Sequence, residues 1–144
     1  MKTTDSKQNL MEFAQRLDSI DFGPIAYKLI HTEEAQAWSY EKAKGAIAQY
    51  RQFLCLVYLY PNKQIIPSRE VDDVWHTHIL DTAKYREDCD LLFGDYLDHW
   101  PYLDRSNPEE QLALEDAFAE TQRLWAQHFN VYQYGTPEKN EGKS

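Results

Sequence analysis

The sequence lacks both a cysteine framework and a long apolar segment, and each shortage excludes a class of protein. Only two of its 144 residues are cysteine, Cys55 and Cys89, and two cysteines do not make the disulfide framework of a small secreted domain. The longest unbroken apolar run covers residues 53–60, whereas a membrane-spanning helix needs about 20 such residues. The amino-terminal residues also lack the apolar core of a secretory signal. We therefore expect a reduced, cytoplasmic protein.

Positive charge is scarce as well. The chain has 15 lysines and arginines against 24 aspartates and glutamates, which gives a formal net charge of -9 at pH 7. A negative surface repels phosphate backbones and anionic lipid headgroups, so we expect neither nucleic-acid binding nor membrane docking. The sequence contains no glycine-rich phosphate loop, no G-x-S-x-G motif and no zinc-ribbon spacing. The enzyme classes that depend on those motifs therefore receive no support.

What the sequence does contain is helical periodicity. Apolar residues recur at spacings of three and four over residues 40–59, and the second half of this segment is apolar on every side. A helix that is apolar all round is buried all round, so the pattern predicts a central helix here. Other helices are predicted at residues 24–30, 69–80 and 83–92, with one more before Phe22 and one from Pro108 onward.

These elements predict an all-α protein, a single-domain compact helical bundle of about five to six helices. The segment 95–106 is irregular but rich in aromatic residues, so we expect it to pack against the bundle as an ordered loop. We expect the helical domain to span residues 9–134. Residues 1–8 and 135–144 are polar, and we predict a disordered N-terminus and a mobile tail there. The expected assembly is a monomer or a weak homo-oligomer.

The candidate chemistry is concentrated in residues 71–89, which include two of the five histidines and one of the two cysteines. On a helix over residues 69–80, Asp72 and His76 lie four positions apart and share a face. His76 and His78 instead point about 200° apart, because each residue turns the helix by about 100°. This histidine pair therefore reaches one metal ion only if the helix breaks near Thr77.

Two interpretations of these residues remain open. In the first, His76, His78, His99, Cys89 and Asp72 contribute to a shell for a first-row divalent metal such as zinc or iron, since imidazole with carboxylate or thiolate is a common donor set. In the second, His78 is a core histidine with satisfied hydrogen bonds, and an aspartate pairs with His76 at the surface. A nucleophilic role for Cys89 is disfavoured, because its acidic neighbours raise the pKa of the thiol.

The motif and its flanking residues resemble the glycine-rich domain-containing protein-like family. The matching positions are residues 71–82, Tyr85, Asp88, Cys89, Phe93, Gly94 and His99. The family is largely uncharacterised, and its plant members carry long glycine-rich extensions and are associated with development and stress responses. These 144 residues include only five glycines, so we do not expect the roles of the extensions to carry over. The resemblance places the motif histidines and the cysteine in a family pattern, which implies a metal-binding or catalytic site.

Two functions follow as hypotheses. The first is a small helical metal-binding protein, whose enzymatic activity the sequence leaves open. The second is a non-catalytic interaction module in which the motif histidines are structural. In that case residues 96–103 and the region of Trp75 would form a groove for a peptide or a small apolar molecule.

Overall fold

The described chain is entirely helical apart from its connections. The computed structural model describes residues 2–32, 37–99 and 107–129, with side chains from residue 7 onward. The helices are α1 (Lys2–Asp18), α2 (Gly23–His31), α3 (Tyr40–Leu59), α4 (Arg69–Leu80), α5 (Thr82–Phe93) and α6 (Pro108–Phe129). No strand occurs within these ranges, and the predicted all-α bundle is confirmed. No helix formed by the described residues has the length and apolarity needed to cross a lipid bilayer.

Helix α3 lies at the centre of the bundle, as its all-round apolar pattern predicts. Ser39 caps it by accepting a hydrogen bond from the backbone N–H of Lys42 at 3.1 Å. Tyr50, Phe53 and Leu56 on this helix are completely buried. Helices α1, α2, α4 and α6 all pack against it. One core cluster contains residues from all six helices, so the elements that carry the motif rest on a continuous apolar core.

Helix α1 begins earlier than the sequence pattern suggests. The structure has helical backbone from Lys2 onward, whereas the polar composition predicts disorder over residues 1–8. No proline or glycine interrupts this stretch, so the helix fixed by buried Phe13 and Leu17 can continue toward the terminus. The predicted mobile tail, residues 135–144, and part of the predicted aromatic loop, residues 100–106, lie outside the described residues.

Two glycines predict opposite effects of the same substitution. Gly94 ends α5 with a φ of 71°, in the left-handed region that a side chain disfavours. Gly45 is exposed inside α3, and a Cβ added there meets no atom within 4 Å. We expect Gly94→Ala to lower the free energy of unfolding by about 1–2 kcal/mol and Gly45→Ala to raise it by about 0.5–1 kcal/mol. Urea denaturation measures both changes, and a shared sign would contradict the prediction.

Candidate metal centre

Helix α4 presents two polar side chains of the motif on one face. Ser68 fixes where this helix begins, because its hydroxyl accepts a hydrogen bond from the backbone N–H of Val71 at 3.2 Å. Asp72 and His76 follow one turn apart, and Oδ2 of Asp72 lies 3.6 Å from Nε2 of His76. Asp72 is 8% exposed, whereas the His76 side chain is 53% exposed. The shared face expected from the spacing of four residues is therefore formed, with its carboxylate on the buried side.

His99 joins this pair from the loop that follows α5. Its Nε2 lies 2.6 Å from Oδ1 of Asp72. Its ring stacks on the indole of Trp75 with the ring centroids 4.1 Å apart, and it lies 4.7 Å from the ring of His76. One potential ligand atom from each of Asp72, His76 and His99 lies within 4.8 Å of the other two. The fold thus gathers two imidazoles and one carboxylate, which together form a donor set suited to first-row divalent ions.

A short chain of hydrogen bonds holds the loop that carries His99. The indole N–H of Trp75 donates to the hydroxyl of Tyr85 at 2.9 Å, and that hydroxyl donates to the backbone carbonyl of Leu97 at 2.6 Å. Burial raises the pKa of the Tyr85 hydroxyl, which keeps it protonated and able to donate. Leu97 lies two residues before His99, so Tyr85 fixes the start of the segment that delivers this imidazole.

Replacing Tyr85 by phenylalanine tests this contact. The substitution leaves the N–H of Trp75 and the carbonyl of Leu97 without their shared partner, so we expect the free energy of unfolding to fall by about 2 kcal/mol. Tyr27→Phe is the matched control, because Tyr27 is 65% exposed and its loss should cost less than about 0.5 kcal/mol. Urea denaturation followed by circular dichroism measures both variants, and equal stability of the two would contradict the proposed role of Tyr85.

The second histidine of the motif makes different contacts. Helix α4 continues unbroken through Thr77, so His78 lies on the opposite side from His76. Nδ1 of His78 lies 2.8 Å from the Tyr50 hydroxyl, and its Nε2 lies 2.8 Å from Oδ2 of Asp88. Burial lowers the pKa of His78, so the neutral ring accepts from the tyrosine and donates to the carboxylate. Both nitrogens are engaged, which is the satisfied core histidine of the second interpretation.

Cys89 also lies outside the group of potential ligands found among the described residues. It is 3% exposed, and burial is the main reason that the pKa of its thiol is raised. Nearby Asp88 and Asp98 raise the pKa further, in the direction expected from the acidic sequence around this cysteine. Cys55 behaves similarly, because burial raises its pKa to about 11. Both thiols are therefore protonated at neutral pH, which disfavours nucleophilic chemistry.

The group of Asp72, His76 and His99 lines a cavity of about 420 Å³. This volume is in the range of small-molecule sites. Nδ1 of His99 is buried and has no hydrogen-bond partner among the described residues, so one polar atom here remains to be satisfied. Most of the other walls are apolar or aromatic, among them Phe53, Val57, Ile65, Trp75, Leu97 and Leu114.

The sequence predicted only part of this cavity, as a groove between residues 96–103 and the region of Trp75, and Trp75, Leu97 and His99 do line it. Its walls come from α3, the connection between α3 and α4, α4 itself, the loop after α5, and α6. Periodicity identifies which face of a single helix is apolar, but not which faces of distant segments leave a space between them. The aromatic character of the segment after Gly94 predicted that this loop packs against the bundle, but it did not predict the walls from α3 and α6.

Comparisons with known proteins place the chain in a sequence family. A family model described as UCP032817-like matches residues 13–123. Two proteins of Arabidopsis thaliana, Glycine-rich domain-containing protein 1 and Glycine-rich domain-containing protein 2, are each 28% identical to this chain over 104 residues. The matches cover 69% of this chain but only 12% and 13% of the two relatives. They confirm the resemblance inferred from the motif, and no solved structure matches the chain.

Proposed function

We propose that this chain, which belongs to the UCP032817-like family, binds a first-row divalent metal ion through Asp72, His76 and His99. The main support is that one ligand atom from each residue lies within 4.8 Å of the other two. Metal bonds to nitrogen and oxygen are about 2.0–2.2 Å long, so adjacent ligand atoms lie about 2.8–3.1 Å apart in octahedral and about 3.3–3.6 Å apart in tetrahedral coordination. Oδ1 of Asp72 lies 2.6 Å from His99, below this range, and Oδ2 lies 3.6 Å from His76, at its upper end. The pair of Asp72 and His99 must therefore open for an ion to enter between its atoms.

The donor set favours zinc or iron(II) and leaves coordination positions free. Catalytic zinc sites use three protein ligands with an open position, and two histidines with one carboxylate also form the facial set of many iron(II) proteins. A bound ion would act as a Lewis acid beside the apolar cavity. His78 and Cys89, which belong to the ligand set predicted from the sequence, are left out of this proposal. The nitrogens of His78 are engaged elsewhere, and the thiol of Cys89 is buried beside Tyr85.

Asp72 has a central part in the proposed site because both imidazoles approach its carboxylate. A carboxylate with so little exposure is costly unless a positive partner or hydrogen bonds compensate it. A divalent ion held between Asp72, His76 and His99 supplies such a partner. The competing account is a hydrogen-bonded pair of Asp72 and His99 that binds no ion, and metal titration separates the two accounts.

The test is calorimetric titration of untagged, chelator-treated protein with Zn²⁺ and Co²⁺. We expect one equivalent to bind, and we expect Asp72→Ala, His76→Ala and His99→Ala each to weaken binding by at least about 100-fold. His31→Ala is the control, because His31 is an exposed histidine on α2 and lies outside the group. Failure of the intact protein to bind one equivalent, or equal affinity in the control and the three variants, would overturn the proposal.

A further inference from the structure

We propose that the cavity beside the metal site binds a small aromatic carboxylate, whose carboxylate group occupies the coordination positions left free by Asp72, His76 and His99. This inference rests on the proposed metal site and adds the chemical class of its ligand. It follows from three features of the cavity, namely its aromatic walls, its volume and the charge that a bound ion would bring.

The walls favour an aromatic ligand. Tyr60 and Trp75 both line the cavity. Tyr60 is partly exposed and Trp75 is 6% exposed, whereas Phe53 is fully buried and supports the Trp75 ring at a centroid distance of 4.9 Å. The accessible parts of Tyr60 and Trp75 offer a guest ring the edge-to-face and offset contacts that aromatic groups prefer. The volume of about 420 Å³ lies near the lower end for ligand sites and suits one or two rings better than a peptide.

The charge of the site favours an anionic oxygen donor. A divalent ion held by one carboxylate and two neutral imidazoles keeps a net positive charge, which an incoming carboxylate neutralises. Lys63 also lines the cavity, but its ammonium group already pairs with Glu120 at 3.4 Å. A bound ion would therefore be the main positive partner for an anion in this cavity. The net charge of -9 opposes anions only weakly here, because salt screens exposed charges beyond about 8–10 Å.

We also expect the metal to reverse the ligand preference of the cavity. Without an ion, a ligand carboxylate would face the carboxylate of Asp72, and Asp98 also lines the cavity. Like charges in a partly buried site repel each other. An uncharged analogue of the same shape should therefore bind the metal-free protein better than the acid does. Addition of zinc should invert that order.

This prediction can be tested with 3-phenylpropanoate and 3-phenylpropanamide. The two probes share the same phenyl ring and differ in charge. Calorimetry on the zinc-loaded chain should give at least tenfold tighter binding of the acid than of the amide. On the metal-free chain the amide should bind at least as tightly as the acid. Acetate, which lacks the ring, should bind the zinc-loaded chain at least tenfold more weakly than 3-phenylpropanoate. Equal binding of the acid with and without zinc would overturn the inference.

A substitution that fills the cavity separates this inference from the metal proposal. Val57 lines the cavity from α3 and is not one of the proposed ligands, so Val57→Trp should bind zinc normally and bind 3-phenylpropanoate at least tenfold more weakly. If Val57→Trp does not fold, Leu114→Phe takes its place, because Leu114 lines the same cavity from α6. Leu112→Trp, at a site 61% exposed, is the control and should bind both ligands normally. Zinc binding without 3-phenylpropanoate binding in the intact chain overturns only this inference, whereas absent zinc binding overturns the proposed function.

Discussion

Replacing His78 by alanine is expected to lower the free energy of unfolding by about 3–5 kcal/mol. The imidazole is 1% exposed and joins the fully buried Tyr50 hydroxyl to the carboxylate of Asp88. Removal of the imidazole leaves the Tyr50 hydroxyl without its hydrogen-bond partner and opens a cavity between α3, α4 and α5. Asp88 keeps its ion pair with Lys84 at 3.2 Å. Urea denaturation followed by circular dichroism measures the loss.

The matched control is His76→Ala, two residues earlier on the same helix. Its side chain is 53% exposed, so its removal should change the free energy of unfolding by less than about 0.5 kcal/mol. In a zinc titration His76→Ala should lose more affinity for zinc than His78→Ala, since His76 is a proposed ligand and His78 is not. Comparable losses of stability in the two variants, or loss of zinc binding in a folded His78→Ala protein, would contradict this division of roles between the motif histidines.

The second large effect is stabilisation of the fold by the metal. An ion that binds the folded chain at a concentration 1,000 times its dissociation constant should raise the free energy of unfolding by about 4 kcal/mol. For a chain of this size, that corresponds to a rise in melting temperature of roughly 10 °C. Differential scanning calorimetry with zinc and then with excess chelator measures the change, under a non-thiol reductant that keeps Cys55 and Cys89 reduced.

The variant that isolates this effect is His99→Ala. It removes one proposed ligand from the loop and leaves helix α4 and its cap in place. A 100-fold loss of affinity should reduce the rise in melting temperature with zinc to about a third of that in the unaltered chain, and a larger loss should reduce it further. His31→Ala should retain the full response, because this exposed histidine lies outside the ligand group. The same rise in melting temperature in His99→Ala as in the unaltered chain would show that the ion is held elsewhere.

Local patterns in the sequence predicted the helices and part of the site. The apolar periodicity of residues 40–59 predicted the central helix, and it forms over Tyr40–Leu59. Ser68 predicted the start of the next helix, which begins at Arg69. The helical period predicted that Asp72 and His76 share a face and that His78 points away from them. Both placements are found in the structure. These predictions succeed because capping and periodicity act within a few residues.

Contacts between distant segments could not be predicted from the sequence. The approach of His99 to Asp72 depends on the path of the loop after α5, which the hydrogen bond from Tyr85 to the carbonyl of Leu97 helps to fix. The pairing of His78 with Asp88 depends on how α5 folds back against α4. A composition rich in histidine, aspartate and cysteine identified the neighbourhood of a site. It could not show which of these side chains face the same space.

X-ray absorption at the zinc edge of the zinc-loaded chain tests the proposed ligand set most directly. We expect a shell of nitrogen and oxygen atoms at about 2.0–2.2 Å, with the outer-sphere scattering of two imidazoles. We expect no sulfur at about 2.3 Å, because the thiol of Cys89 lies outside the group of Asp72, His76 and His99. A sulfur ligand, or a spectrum without imidazole scattering, would show that Asp72, His76 and His99 do not form the metal site.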